Sequence, residues 1–268
     1  MSIASQKPQP HWDAELYKNN SMKLQYSTAM ELLDKEDFTQ KSLMVLDIGC
    51  GDGKITKEIA DRVAGNQGYV LGIDLSENMI AFAKREYRDV PNLSFDVMDA
   101  EDIKLDRPFD RIYSFFCWQW LPNKQKAFNE VARLLKKGGL GAFVMTRRNQ
   151  AFLAARRDLI SREEWKSYFV GYADPTKASN DPHYLDYIQN AGLSLLHYNE
   201  FQKRVLFDDF EELKNFIITV TPETARIPGS LKNKFLDELV DDFYKRIEAL
   251  DGNKNYFQCD VMIAHTQK

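Results

Sequence analysis

Short apolar runs alternate along the first half of the chain with stretches in which apolar residues recur every three or four positions. Leu43 to Asp47 is an apolar run that ends on an aspartate and opens into a glycine loop, the pattern of a strand covered on both faces. Ile55, Ile59 and Val63 step by four and predict one face of a helix. Tyr69 to Ile73 is a second short strand, ended by Asp74. Met79, Ala83 and Tyr87 mark the next helix, with Ser76 as its N-cap. Leu93 to Val97 and Phe109 to Phe116 read as the third and fourth strands. Ala127, Phe128, Val131, Leu134 and Leu135 form a helical apolar face that Gly138-Gly139 stops at the C-cap position, and Leu140 to Thr146 is the fifth strand. Five strands alternating with helices predict an α/β fold, a parallel sheet with helices on both faces.

The flanking segments extend this plan. The first eleven residues are polar and carry two prolines; from Trp12 to about Asp34, Leu16, Tyr17, Leu24, Ala29, Leu32 and Leu33 recur at helical spacing. Residues 147–191 are mostly helical in character and hold Arg147, Arg148, Arg156, Arg157 and Arg162. Residues 193–207 are extended, 210–250 are helical with breaks at Thr221-Pro222 and Pro228-Gly229, and Tyr256 to His265 alternates apolar with polar positions. Two late strands predict an antiparallel pair added to the sheet. The expectation is one domain over 1–268: a seven-stranded, mostly parallel, doubly wound sheet, with helical insertions at about 147–191 and 208–255 forming a cap over the substrate.

Composition narrows the function. The 268 residues are 44% hydrophobic and 28% charged, enough for a real core and unlike a disordered tail. With 36 Lys+Arg against 40 Asp+Glu, the chain is not one held to nucleic acid by net charge. No apolar stretch approaches the ~18 residues of a membrane helix, and the N-terminus lacks a signal-peptide core. The three cysteines, at 50, 117 and 259, form no metal or disulfide spacing, so neither a metal site nor a secretory route is expected; the expected location is the cytoplasm.

The most informative segment is VLDIGCGDGKIT, residues 45–56. Gly49, Gly51 and Gly53 follow a strand and open a helix, allowing a tight turn and close approach of a ligand, although a bare turn would look alike. A dinucleotide fingerprint would need glycine at position 54, which is Lys54. Asp47 would repel a pyrophosphate and suits a cationic ligand. Asp74, at the end of the second strand, can accept both hydroxyls of a ribose or simply cap the helix that follows. Asp99-Ala100, after the third strand, can meet an adenine amino group or be a plain polar strand end.

These segments resemble class I S-adenosylmethionine-dependent methyltransferases: the glycine loop, Asp74 in GIDLSENMI, Asp99 in DVMDAED, KKGG before the fifth strand, and the closing strand pair. The resemblance implies a Rossmann-like methyltransferase fold with S-adenosylmethionine as cofactor. It places Asp47 and the loop Gly49, Cys50 and Gly51 at the methionine end, Asp74 at the ribose, Leu75 and Met79 along the adenosine, and Asp99-Ala100 at the adenine. Residues 12–25 (WDAELYKNNSMKLQ) and 113–122 (YSFFCWQWLP) are similar to the carboxylate-methylating branch that includes trans-aconitate and juvenile hormone acid methyltransferases. The segment FIITVTPETARIPGSLKNKFLDELVDDF is closer in layout to the second. The branch resemblance implies that Tyr17 and Gln25 close over the cofactor, with Phe115 beside it.

For the methyl acceptor, the chemistry favours a small carboxylate. It is ionised at neutral pH and needs no general base, whereas a phenol or amine usually wants one. The four histidines, His11, His183, His197 and His265, stand in no motif. Arg147 and Arg148 follow the fifth strand, at the end where ligands sit in open α/β sheets, and suit a carboxylate. The arginines of 147–162 would give an acidic chain a basic mouth, unless they are a solvated helix face. Gln119 and Trp120 are placed to face the transferred methyl, with Phe115, Phe116 and Trp118 as apolar walls or as ordinary core. Cys117 has no histidine partner and is expected to be a buried thiol. The alternatives are a phenol or amine acceptor, or a non-catalytic binder of the same cofactor. An NAD-type oxidoreductase is disfavoured by Asp47 and Lys54. The sequence does not set the oligomeric state.

Overall fold

Seven strands of the computed structural model, which describes residues 22–147, 149–172, 181–248 and 252–268, form one sheet in the order β3-β2-β1-β4-β5-β7-β6. The strands are β1 (Met44–Ile48), β2 (Tyr69–Asp74), β3 (Leu93–Val97), β4 (Phe109–Phe115), β5 (Leu135–Arg147), β6 (Ser194–Leu206) and β7 (Tyr256–Gln267). β1 to β5 pair in parallel, and β7 lies antiparallel to both β5 and β6. The doubly wound sheet and its closing antiparallel pair thus match the pattern of the sequence.

The helices are α1 (Ser27–Leu33), preceded by a turn of π-helix at Met22–Tyr26, α2 (Lys54–Ala64), α3 (Glu77–Glu86), α4 (Lys124–Leu134), α5 (Gln150–Ile160), α6 (Tyr184–Asn190), α7 (Phe210–Thr219) and α8 (Gly229–Arg246). Ser76 caps α3 as its sequence predicts, its Oγ accepting from Met79 N–H at 3.5 Å. Among the described residues, no helix is long and apolar enough to cross a membrane.

Alternate residues of the central strands face opposite layers. Val45, Tyr113 and Val144 pack with α1, α2, α5, α7 and α8, whereas Leu46, Ile112 and Phe143 pack with α4 and α6. In the second layer Trp118 stacks on Phe128 with ring centroids 4.2 Å apart, and Phe143 meets both rings edge-on at 5.3 Å. In the first layer a buried ion pair joins Arg156 of α5 to Glu223 at 2.6 Å, and Tyr172 donates to the same carboxylate at 2.9 Å.

One expected element boundary moves. Gly138-Gly139 do not end α4, which stops at Leu134. Leu135 is buried and pairs with Phe109, while Lys136 reaches Asp110 at 2.8 Å and Gly138 N–H donates to Lys268 O. These attachments draw the segment into the sheet before the glycines, and Gly138, with φ of 78°, turns within β5.

Phe143→Ala removes the ring that braces Trp118 and Phe128, and should cost about 3–5 kcal/mol in urea unfolding. A cost under about 1 kcal/mol would contradict a close-packed aromatic layer at this position.

Candidate active site

The loop after β1 is fixed by a close approach. Gly49 has φ of +77°, and a Cβ there would lie 2.4 Å from both Cβ and Sγ of Cys117. Only glycine lets the β1 loop meet the turn after β4 at this distance. On the other side of the contact Phe116 has φ of 56°, a strained conformation for a bulky residue. Gly49 and Cys50 N–H both donate to Ile73 O, at 2.7 and 3.0 Å. Gly51 N–H donates to Asp74 Oδ2 at 3.0 Å, and Ser76 N–H to Asp74 Oδ1 at 2.8 Å. The Asp74 carboxylate therefore ties the β1 loop to the start of α3, and each of its oxygens keeps a lone pair for a further donor.

A cleft of about 420 Å³, part of it open to solvent, lies against this loop. It is lined by Asp47 of β1, by Gly49, Cys50, Gly51, Asp52, Lys54 and Ile55 of the β1 loop and the start of α2, by Phe115 of β4, and by Gln25 and Tyr26 of the N-terminal turn. Gly51, with φ of +55°, has no atom within 4 Å of the position a Cβ would take. Tyr26 is held by its hydroxyl, which donates to Glu58 at 2.9 Å, and Lys54 lies over its ring.

Asp47 is a buried carboxyl at the floor of the loop motif. The residue is 1% exposed; Oδ2 accepts from Thr56 Oγ1 at 2.6 Å, and Oδ1 has no partner among the described residues. Burial pushes its carboxyl up to about 7, against the pull of the Thr56 hydrogen bond and with help from the charge of Asp74. Gln25 Oε1, also buried, has none among them either. Two buried acceptors without donors at one cleft call for a cationic donor, and a primary ammonium such as that of an amino-acid group supplies both charge and protons.

Of the residues expected to bind the cofactor, Gln25, Asp47, Gly49, Cys50, Gly51 and Phe115 line this one cleft. Leu75, Met79, Asp99 and Ala100 follow β2 and β3 on the same edge of the sheet, outside the cleft walls. Met79 and Ala100 are buried, and Asp99 Oδ1 accepts from Glu101 N–H at 2.9 Å. Tyr17 and Arg148 lie outside the described residues. Tyr26, Asp52, Lys54 and Ile55 were not expected at the site. The last three directly continue the loop motif, which was the available signal.

On the acceptor side, Gln119 is buried, its Nε2 donating to Phe116 O at 2.7 Å, and Trp120 is half-buried. Trp118 belongs to the aromatic layer under the sheet, which is the ordinary-core reading. Cys117 is half-buried, more open than expected; burial of its sulfur, and the nearby charges of Asp74 and Asp47, push the thiol well up, away from a reactive thiolate.

Among the described residues, the arginines of 147–162 are paired with carboxylates rather than left as a basic mouth. Arg147 is paired with Glu200 at 2.5 Å, Arg156 with buried Glu223, Arg157 with Asp158, and Arg162 with Glu238 and Asp242. Carboxylates of other elements neutralise most of this charge. None of the described histidines stands at the cleft: His183 pairs with Asp186, His265 with Glu36, and His197 lies beside His265.

The sheet order and the acid-flanked glycine loop are those of the Rossmann-like methyltransferase fold. The family model described as a methyltransferase domain matches residues 45–139. The 235L protein of Invertebrate iridescent virus 6, whose name assigns it provisionally to the methyltransferases, is 29% identical over 91% of this chain and 90% of its own. Juvenile hormone acid O-methyltransferase of Bombyx mori is 26% identical over 96% of this chain and 94% of its own. Phosphoethanolamine N-methyltransferase 2 of Haemonchus contortus, solved with S-adenosyl-L-methionine, superposes with a TM-score of 0.57 at 17% identity, over 95% of this chain and 55% of that one. The chain is a class I S-adenosylmethionine-dependent methyltransferase, an enzyme whose cofactor is S-adenosylmethionine.

The Asp47 carboxyl ionises near 4 when unfolded and near 7 when folded, so the folded chain holds the extra proton between these values. Its contribution to stability therefore falls as pH rises through that window. Asp47→Asn should be more stable than the parent at pH 8 by a few kcal/mol, on the order of 1.4 kcal/mol per pH unit of the window, and the gain should vanish near pH 4. Urea unfolding across this range checks it; a gain independent of pH would refute the buried-charge account.

Proposed function

We propose that the enzyme methylates the carboxylate of a small-molecule acceptor. The observation that carries this reading is that, among the described residues, no histidine stands at the cleft and the Cys117 thiol is held protonated, so neither serves as a general base for an acceptor. Such a site suits an acceptor that arrives as a nucleophile, and a carboxylate does so at neutral pH. The similarity to juvenile hormone acid O-methyltransferase over nearly the whole chain supports the same class of acceptor.

S-adenosylmethionine supplies an electrophilic methyl on a sulfonium, which is already a good leaving group. The protein's task is then alignment and exclusion of water. In this reading Asp47 holds the ammonium of the methionine end, with Gln25 as a second acceptor and the Gly49-Cys50-Gly51 backbone close beneath. Asp74 offers its remaining lone pairs to the ribose hydroxyls. Leu75 and Met79 flank the adenosine and Asp99-Ala100 meets the adenine. Phe115 walls the cleft, Gln119 and Trp120 orient the acceptor, and α5, α7 and α8 cover the apolar remainder of the acceptor. The acceptor is small and anionic in this scheme, and the enzyme works in the cytoplasm.

Incubation with methyl-labelled cofactor and a panel of acids, phenols and amines tests the acceptor class. Label that enters acids and is released by base is expected; label confined to amines or phenols would sink the carboxylate reading. Asp74→Ala should weaken binding of S-adenosylhomocysteine by roughly 10- to 150-fold, the equivalent of about 1.5–3 kcal/mol for hydrogen bonds to a charged group. Unchanged affinity in a calorimetric titration would remove Asp74 from the ribose site.

A further inference from the structure

Beyond the cofactor cleft, the mouth of the second layer holds buried hydrogen-bond donors that the described residues leave wholly or partly unmatched. Lys124 opens α4 and is 3% exposed. A cation at a helix N-terminus meets the positive end of the helix dipole, so burial and position both disfavour its charge. Its Nζ donates to Leu121 O at 3.0 Å, leaving two of its three protons uncommitted among the described residues. Nζ lies 5.7 Å from the ring centroid of Tyr184, the first residue of α6.

Tyr184 is 1% exposed and its hydroxyl has no hydrogen-bond partner among the described residues. The indole Nε1 of Trp118, in the same apolar layer, has none, nor has Nε of Arg147, whose charge Tyr184 feels. The carboxylates in electrostatic reach of Lys124 are Asp181 and Glu101. Both are engaged: Asp181 accepts from His183 N–H and from the Tyr187 hydroxyl, and Glu101 from Asn123 N–H. Burial pushes the Lys124 ammonium down, as expected for a charge without a counter-ion.

Several buried donors without an acceptor call for an anion. Cys117, which touches the cofactor loop at Gly49, lies within electrostatic reach of both Lys124 and Tyr184, so the cluster adjoins the reaction site. We propose that Lys124 and Tyr184 form a specificity pair that binds a carboxylate of the acceptor. This deepens the carboxylate reading above and rests on it. It also shifts anion recognition away from the arginine-rich helix, whose charges are internally paired.

The test is calorimetric titration of the parent, Lys124→Met and Tyr184→Phe, each saturated with S-adenosylhomocysteine, with linear carboxylates from acetate to octanoate and with inorganic phosphate. The parent should bind at least one carboxylate, Lys124→Met should weaken it about 10- to 100-fold and Tyr184→Phe by less, as loss of a charged and then a neutral hydrogen bond predicts. Binding of S-adenosylhomocysteine should not change in either variant. Lys124→Gln, which keeps the length and polarity of the side chain, replaces Lys124→Met if the latter does not fold. Carboxylates bound equally by parent and variant, no carboxylate bound by the parent, or phosphate alone bound through Lys124 would each overturn the proposal. Labelled-methyl assays separate its failure from that of the function. Acids methylated with unchanged KM in Lys124→Met refute the pair alone, whereas carboxylate binding through Lys124 with methyl transfer only to amines refutes the carboxylate-methylation reading.

Discussion

The site depends on one close contact, the packing of Cys117 against the bare α-carbon of Gly49. It joins the carboxyl ends of β1 and β4, adjacent strands in the sheet, at the edge where the cofactor loop and the acceptor-side turn must meet. Both partners show the constraint: Gly49 has left-handed backbone that suits glycine, and Phe116 holds a left-handed conformation that a bulky side chain rarely adopts. Strain of this kind persists only where surrounding structure over-determines it. Here Phe116 N–H is fixed to Val144 O, and Gly49 and Cys50 N–H to Ile73 O.

Behind the contact lies a charge that the fold alone does not satisfy. Asp47 is buried with one oxygen bonded to Thr56 and the other without a donor, an arrangement that opposes folding at neutral pH. The same feature suits the cleft to a cationic group, which would restore what burial removed, and not to a pyrophosphate, which would add repulsion. A similar logic, with donors in place of acceptors, applies around Lys124 and Tyr184. The two clusters have opposite demands and flank the Cys117 turn, an arrangement that suits a cationic methyl donor and an anionic acceptor brought face to face.

Much of this was legible in the sequence for local reasons. Buried strands read as short apolar runs ending on Asp47 and Asp74, and Ser76 capped its helix through contacts three residues away. The closing strands were visible as alternation around Phe257, Cys259, Val261 and Ile263. What stayed hidden depends on distant partners. The arginine-rich segment reads as a basic patch because Glu200, Glu223, Glu238 and Asp242, which neutralise it, stand 53 to 80 positions away in the chain. The end of α4 moved because Lys136 is drawn to Asp110 of β4. Tyr26 reaches the cleft only through the placement of the N-terminal turn on α2, and the vacant donors near Lys124 appear only once α6 covers them.

The central claim is that the orphaned Asp47 carboxylate receives the ammonium of the cofactor. Calorimetric titration with S-adenosylhomocysteine at pH 8, 7 and 6, in two buffers of different ionisation enthalpy and with NADH as the control ligand, tests it most directly. The account predicts heat with S-adenosylhomocysteine and none with NADH, together with net proton release that grows as pH is lowered from 8 through 7 towards 6, as the protonated fraction of free Asp47 rises. Binding of NADH instead, or binding of S-adenosylhomocysteine with no proton release, would contradict it.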